Sequence, residues 1–368
     1  MGICHCGSIG PDKTPTPPSP IPEIILDEYG FILHHNRYRL SDLSLISDQD
    51  QTRSLIWQSI IAGSDTVTTW RSDLVMAREL SWSGIPCTIR HKAWYILSGA
   101  QSLKALSPIS YAQYLLEPCP TAHRQIEVDI PRTYSEHRYF TESGLGRERL
   151  KRLLHGLAIR LGPDTGYVQG MNMIAALLLL VFDNDEESAF WTLAAYMEQL
   201  NMKRLYQDGM DYLTLCLHRL GRLISTTYPQ LEHHFGKENI EPFCYGTPWF
   251  LTLFAYNLPI RQCCRVFDAA FALNMGEELI YRFSLTYIRR VLPDLLRCQF
   301  SDATTLLKII EIDDNDIGDI MKESLTMKIE LELDQSGEAG AKRFHKTDDP
   351  VDVYSGYTEN GATKDHHI

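Results

Sequence analysis

"GYVQGMN", Gly166–Asn172, runs directly into "MIAALLLLVF", residues 173–182. The second stretch carries no charge and is apolar on every side of a helical wheel, so it predicts a helix buried all round. It is about half of the roughly 20 apolar residues that a membrane-spanning helix needs. A buried helix at the centre of a chain requires other helices or a sheet to bury it, and the flanking sequence supplies helices. "GRERLKRLLHGLAIRLG" upstream places Leu150, Leu153, Leu154, Leu157 and Leu161 at helical spacing, with basic residues on the opposite side. "DNDEESAFWTLAAYMEQL" downstream opens with acids in its first turn, as the helix dipole favours. The polar residue at the junction, Gln169, lies between Gly166 and Gly170, which permit unusual dihedrals or close backbone approach. Read locally, it satisfies backbone groups at the start of the buried helix.

Outward from this centre the helical pattern persists. "TIRHKAWYILSGA" keeps Ile89, Trp94 and Leu97 on one face and stops at Gly99. "MDYLTLCLHRLGRLI", "PWFLTLFAYNL" and "EELIYRFSLTYIRRVL" continue in the same manner, and strand-like alternation is scarce. The fold class predicted is all-α, a domain of many short helices, with no fixed repeat period and hence no solenoid. Residues 1–23 are expected to be a disordered arm, because "PDKTPTPPSPIP" is too rich in proline to fold. Residues 24–83 read as a lead-in, with either a hairpin around Gly30 or an irregular stretch. A helix then follows in "SDQDQTRSLIWQSIIAG", with Ser47 as N-cap and Gly63 as stop. The main domain spans 84–312. Residues 313–368 form an acidic, largely disordered tail with at most a weak amphipathic helix at its start.

Charge and cysteine usage narrow the function classes. The chain has 368 residues and a formal net charge of −12, to which residues 301–368 contribute −9. The helical part is therefore nearly balanced and has no basic footprint for nucleic acid. Nine cysteines, an odd number at irregular spacing with no C-x-x-C pair, fit a reduced compartment and no zinc ribbon. "MGICHCGSIGPDKTP" lacks the apolar stretch of a secretory signal. Gly2 after the initiator Met, with Cys4 and Cys6 close by, forms a candidate lipidation site. Two lipid signals anchor stably where a single myristoyl chain is marginal. The expectation is a cytoplasmic protein, peripheral on endomembranes or the plasma membrane if the N-terminus is lipidated. No P-loop, G-x-S-x-G or H-E-x-x-H motif supports a self-contained hydrolase.

Three stretches carry candidate chemistry. In "IEVDIPRTY", Ile126–Tyr134, Pro131 disfavours a helical Ile130, so Arg132 is expected at a loop-to-helix junction. Asp129 lies three residues earlier, able to orient the guanidinium. In "GIPCTIRHKAW", Gly84–Trp94, Arg90 and Trp94 share a helix face; Trp94 reads as core and Arg90 as a buried partner for a carboxylate. "GYVQGMN" adds Tyr167, at the core edge with a wet hydroxyl, and Gln169.

Together these stretches, in this order, resemble the three signature motifs of the TBC domain, the Rab GTPase-activating domain. "EESAFW" at 186–191, "PWFLTLFAYNLP" at 248–259 and "RVFDAAF" at 265–271 are similar to its downstream pattern, so that the likeness covers about 84 to 312. Phe267 departs from it, standing where tryptophan is commoner. The resemblance implies an all-helical domain that accelerates GTP hydrolysis by Rab-type small GTPases in their GTP-bound state, and so regulates vesicle trafficking. It implies no cofactor of the chain's own, since GTP and Mg2+ come with the partner. By matching position, Arg132 is the arginine finger and Gln169 the glutamine finger. Asp129 and Arg90 support the arginine, and Tyr167, Gly170 and Asn172 surround the glutamine. Trp94, Pro131 and Gly166 are structural, and the two glycines let the partner's switch region approach the backbone. The alternative is a TBC-fold binding module that captures a GTPase or another partner without stimulating hydrolysis. The presence of both Arg132 and Gln169 favours the first.

Overall fold

A computed structural model describes residues 48–62, 80–141, 145–183, 185–313 and 316–329. The readings made of Gly2, Cys4, Cys6, the proline-rich arm, the stretch around Gly30, Ser47, Gly63 and residues 330–368 lie outside these. Among the described residues every regular element is helical, and no helix is long and apolar enough to cross a membrane.

The predicted lead-in helix is α1, Asp48–Ile61. Its Trp57 is fully buried and donates its indole N–H to the Gly84 carbonyl at 3.2 Å, tying it to the first motif. Helix α2, Cys87–Leu97, starts after Pro86, buries Ile89, Trp94 and Leu97, and ends where Gly99 takes φ 82°. Short helices α3, Ala100–Leu106, and α4, Tyr111–Tyr114, lead to α5, Pro120–Asp129. Helix α6, Gly146–Leu161, buries all five leucines named above. Its basic residues are not idle solvent-facing charges. Arg147 donates to the Phe140 carbonyl at 2.6 Å, Lys151 pairs with Glu127, Arg152 with Glu186, and Arg160 with Glu198. The helix is thereby clamped from both sides by carboxylates of α5 and of α8, Glu186–Gln199.

The opening stretch is α7, Met171–Val181, and every residue from Met171 to Leu179 is buried. It packs against α6, α8, α2 and α11, Thr247–Thr252. An apolar helix walled by four others needs no polar face, which is why its sequence has no amphipathic period. Helix α8 begins with the Asp185 carboxylate accepting from the Ser188 N–H at 3.1 Å, the cap that acids at a helix start provide.

The second half of the bundle contains α9, Asp211–Thr227, α10, Pro229–Glu238, α12, Ile260–Leu273, and α13, Glu277–Leu295. Asn239 and Asn274 end α10 and α12 in the left-handed region, which asparagine tolerates. Helices α14, Phe300–Lys308, and α15, Ile317–Thr326, follow. Helix α15 corrects the expected boundary at 312. It buries Ile317, Ile320, Met321 and Leu325 against α13 and α12, and the compact unit runs to Ile329. Its charges hide this in the sequence: Asp319 and Lys322 are exposed, and Glu323 lies beside Arg290 of α13 at 3.7 Å.

Candidate functional site

Helix α5 does not stop at Asp129. Ile130 is helical at φ −56°, ψ −50°, and Ile130–Arg132 form a turn of 3-10 helix. The expected loop-to-helix junction is therefore reversed: Arg132 leaves from the end of a helix. Pro131 has no N–H to give the carbonyl four residues back, and its ring crowds that carbonyl. The chain tightens into a 3-10 turn, closed by the Thr133 N–H on the Ile130 carbonyl at 3.1 Å, and is extended by Thr133. Buried Ile126 and Ile130 pin this turn to the core.

Asp129 is fully buried and lies at the centre of the site. Its carboxylate accepts from the Arg132 guanidinium, from the Tyr167 hydroxyl at 2.5 Å and from the Gln125 amide at 3.4 Å. Bonds to a charged acceptor are roughly twice as strong as neutral ones, so Asp129 fixes Arg132 and Tyr167 together. A second path runs through the backbone. The Thr133 hydroxyl donates to the Asp129 carbonyl at 2.7 Å and accepts from the Asn172 amide at 2.8 Å. The Asn172 side-chain oxygen accepts in turn from the Gly170 N–H at 2.8 Å. The arginine motif and the glutamine motif are thus one hydrogen-bonded frame.

On that frame the two expected fingers differ from their supports. The Arg132 side chain keeps 30% of its surface exposed. Gln169 is half-buried, and its side chain makes no hydrogen bond among the described residues. The capping role read for it belongs to Asn172, three residues on, which satisfies Gly170 at the helix start. Gly170 has φ 108°, and a side-chain carbon there would come within 3.2 Å of both the Leu251 side chain and the Leu251 carbonyl. Its requirement for glycine is internal packing. Gly166, at φ 55°, faces open space.

Arg90 and Trp94 belong to a separate buried centre. Asp268 of α12 is fully buried and accepts from Arg90 Nε at 3.1 Å, from Trp94 Nε1 at 2.8 Å and from the Ile85 N–H at 2.9 Å. Arg90 also donates to the Ile85 carbonyl at 2.6 Å. The carboxylate partner read for Arg90 is therefore Asp268, and the Gly84–Trp94 motif is a structural anchor. Phe267 fills the space beside it, its ring 5.6 Å from that of Trp94 and 6.0 Å from that of Tyr196. Nothing in the sequence singles out Asp268 or Thr133 for these roles: the first shows only as a lone acid in the apolar run "RVFDAAF", and the second has no separate sign within "IEVDIPRTY".

The described residues form an all-helical domain in which a part-exposed arginine and a glutamine with no hydrogen bond among those residues stand on one buried carboxylate frame. Residues 87–296 match the Rab-GTPase-TBC domain family, and the chain belongs to it. The Rab GTPase-activating protein tbc-11 of Caenorhabditis elegans is 32% identical over 235 residues, 63% of this chain and 24% of that protein. TBC1 domain family member 4 of Mus musculus is 30% identical over 277 residues, 73% of this chain and 21% of that protein. The chain thus spans about a quarter of the length of these curated relatives. In fold it is similar to the Ypt/Rab-GAP domain of Gyp1p, with TM-score 0.63 and 20% identity over 75% of this chain and 97% of the other. It is also similar to the Chlamydomonas flagellar RabGAP TBC domain, with TM-score 0.60 and 23% identity over 83% of this chain and all of the other.

Proposed function

We propose that the chain is a GTPase-activating protein for Rab-type GTPases, and that Arg132 and Gln169 enter the nucleotide site of a GTP-bound partner. The observation that carries this reading is the single frame of Asp129, Tyr167, Thr133 and Asn172, which holds both motifs while leaving Arg132 partly exposed and Gln169 unbonded. Phosphoryl transfer asks little covalent work of a protein. It asks for the attacking water in line and for compensation of charge on the phosphate oxygens. A guanidinium is planar, permanently charged and bidentate, which suits the second task. A carboxamide accepts from water and donates to phosphate at once, which suits the first. The GTP and Mg2+ belong to the partner, and control of the partner's GTP-bound lifetime is how such a protein would act in vesicle trafficking.

The test is GTP hydrolysis by a panel of Rab proteins with catalytic amounts of this chain. At least one Rab should be stimulated, and Arg132→Ala and Gln169→Ala should each lower kcat/KM by at least about tenfold with the fold intact. A Rab bound but not stimulated by the wild type would leave the capture module as the function. Full activity in both variants would remove the fingers from the mechanism.

A further inference from the structure

Both candidate finger loops lean on the same short piece of chain. The end of α11 and the turn after it, Leu251–Asn257, contain Leu253 at φ 46° and Phe254 at φ 64°, two bulky residues in succession in the left-handed region. Both are fully buried, and the turn is held internally. The Thr252 hydroxyl donates to the Pro248 carbonyl at 2.7 Å and accepts from the Tyr256 N–H at 3.2 Å. The N–H of Ala255 reaches the Thr252 carbonyl at 2.9 Å. Sterically unfavourable backbone persists only where its surroundings over-determine it, and such places cluster at functional sites.

The turn meets the arginine loop through Tyr134, itself at φ 42°, whose hydroxyl donates to the Ala255 carbonyl at 3.0 Å. It meets the glutamine loop through Leu251, against which Gly170 packs without room for a side chain, and Tyr206 holds the Leu251 carbonyl at 2.6 Å. On its far side the turn is locked by chain beyond the family match. Asn257 donates its amide to the Lys308 carbonyl at 2.8 Å, and its own carbonyl accepts the Ile310 N–H at 3.2 Å. Trp249 and Gln262 flank this, donating to the carbonyls of Leu307 and Ile312. Residues 307–312 are therefore held by their backbone as well as by the buried Leu307 and Ile310 side chains.

We infer that Leu251–Asn257 is the positioning element for both finger loops, with Tyr134 and Gly170 as its two points of contact and the backbone of residues 307–312 as its lock. Tyr134 and Asn257 are positioning residues, acting through Arg132 and Gln169. This rests on the function proposed above. Small displacements of a charge-compensating group are expensive: about 1 Å can cost roughly 100-fold in rate. Loss of the Tyr134 hydroxyl or of the Asn257 amide should therefore reach the reaction without any contact to the nucleotide.

The experiment uses the full chain with Tyr134→Phe and Asn257→Ala. Hydrogen–deuterium exchange on the protein alone should show faster exchange in the segments around 130–136 and 166–172 for Asn257→Ala, and around 130–136 for Tyr134→Phe, with the melting temperature lowered by only about 2–4 °C, as loss of one hydrogen bond implies. With a stimulated Rab, each variant should lower single-turnover kcat by about tenfold while affinity for the GTP-analogue-loaded Rab stays within about twofold. Placed on Arg132→Ala, Tyr134→Phe should cost nothing further, since residues acting as one unit are not additive. Unchanged exchange in both loops overturns the inference whether or not a Rab is stimulated. So does undiminished kcat in both variants, or a Tyr134→Phe loss that multiplies with that of Arg132→Ala. A wild type that stimulates no Rab removes the proposed function alone, and the exchange data then decide the positioning claim.

Discussion

Asp268 and Asp129 are both fully buried carboxylates, and each is paired with an arginine from one of the family's motifs. Their surroundings assign them different tasks. Asp268 draws its donors inward: Arg90, at 7% side-chain exposure, Trp94 and the Ile85 N–H converge on it from α2 and its lead-in. Asp129 is sealed, but the arginine it holds keeps 30% of its side-chain surface exposed. Sealed on both sides, the Asp268 pair is an anchor; under the proposed function the Asp129 pair, with its arginine part-exposed, is a pointing device.

The comparison breaks most sharply on removing each acid. Asp268→Ala leaves the Arg90 guanidinium, 7% exposed, without its carboxylate, and an uncompensated buried charge costs about 3–5 kcal/mol. Urea denaturation should show that loss. Asp129→Ala should cost less, about 1–3 kcal/mol, because Arg132 can turn to water and only Tyr167 and Gln125 lose an acceptor. Its effect should appear in Rab-stimulated GTP hydrolysis, as a fall of about 100-fold from a misdirected Arg132. A stability loss at Asp129 as large as that at Asp268 would show that both pairs are anchors, and the distinction would be gone.

The contrast also explains what the sequence could and could not disclose. The anchor's near side was legible: Ile89, Trp94 and Leu97 recur at helical spacing and are buried together. Its far side was not, because Asp268 lies 178 positions from Arg90 and chain order says nothing of which carboxylate comes back. The pointing device was legible as residue types, Arg132 with Asp129 and Gln169 between glycines, since a family resemblance ties them to one task. Its geometry was misread at Ile130. The bias against a helical residue before proline is local, and here it yields to the burial of Ile130 and a 3-10 turn that needs no N–H from Pro131. The capping of α7 is ambiguous in the sequence for a related reason. Gln169 and Asn172 are both amides near a helix start, and only the fold shows that Asn172 reaches Gly170 while Gln169 has no hydrogen bond among the described residues. Helix α15 is hard to see because net charge obscures its periodicity: Ile317, Ile320, Met321 and Leu325 hold helical spacing inside an acidic stretch.

The finest division between anchor and pointer lies in one hydroxyl. Tyr167 donates to the Asp129 oxygen opposite the one that Arg132 holds, so its hydroxyl restrains the carboxylate's rotation. Tyr167→Phe keeps the ring and removes that donor. Asp129 retains Arg132 and Gln125, so stability should fall by only about 1 kcal/mol. The carboxylate becomes free to rotate, and Arg132 with it, which should lower Rab-stimulated kcat several-fold with KM little changed. Because Tyr167 stands two residues before Gln169, the loss must be assigned to one finger or the other. Measured on Gln169→Ala, the Tyr167→Phe penalty should persist; measured on Arg132→Ala, it should vanish. The opposite pattern would mean that the hydroxyl serves the glutamine loop and that Asp129 directs Arg132 unaided.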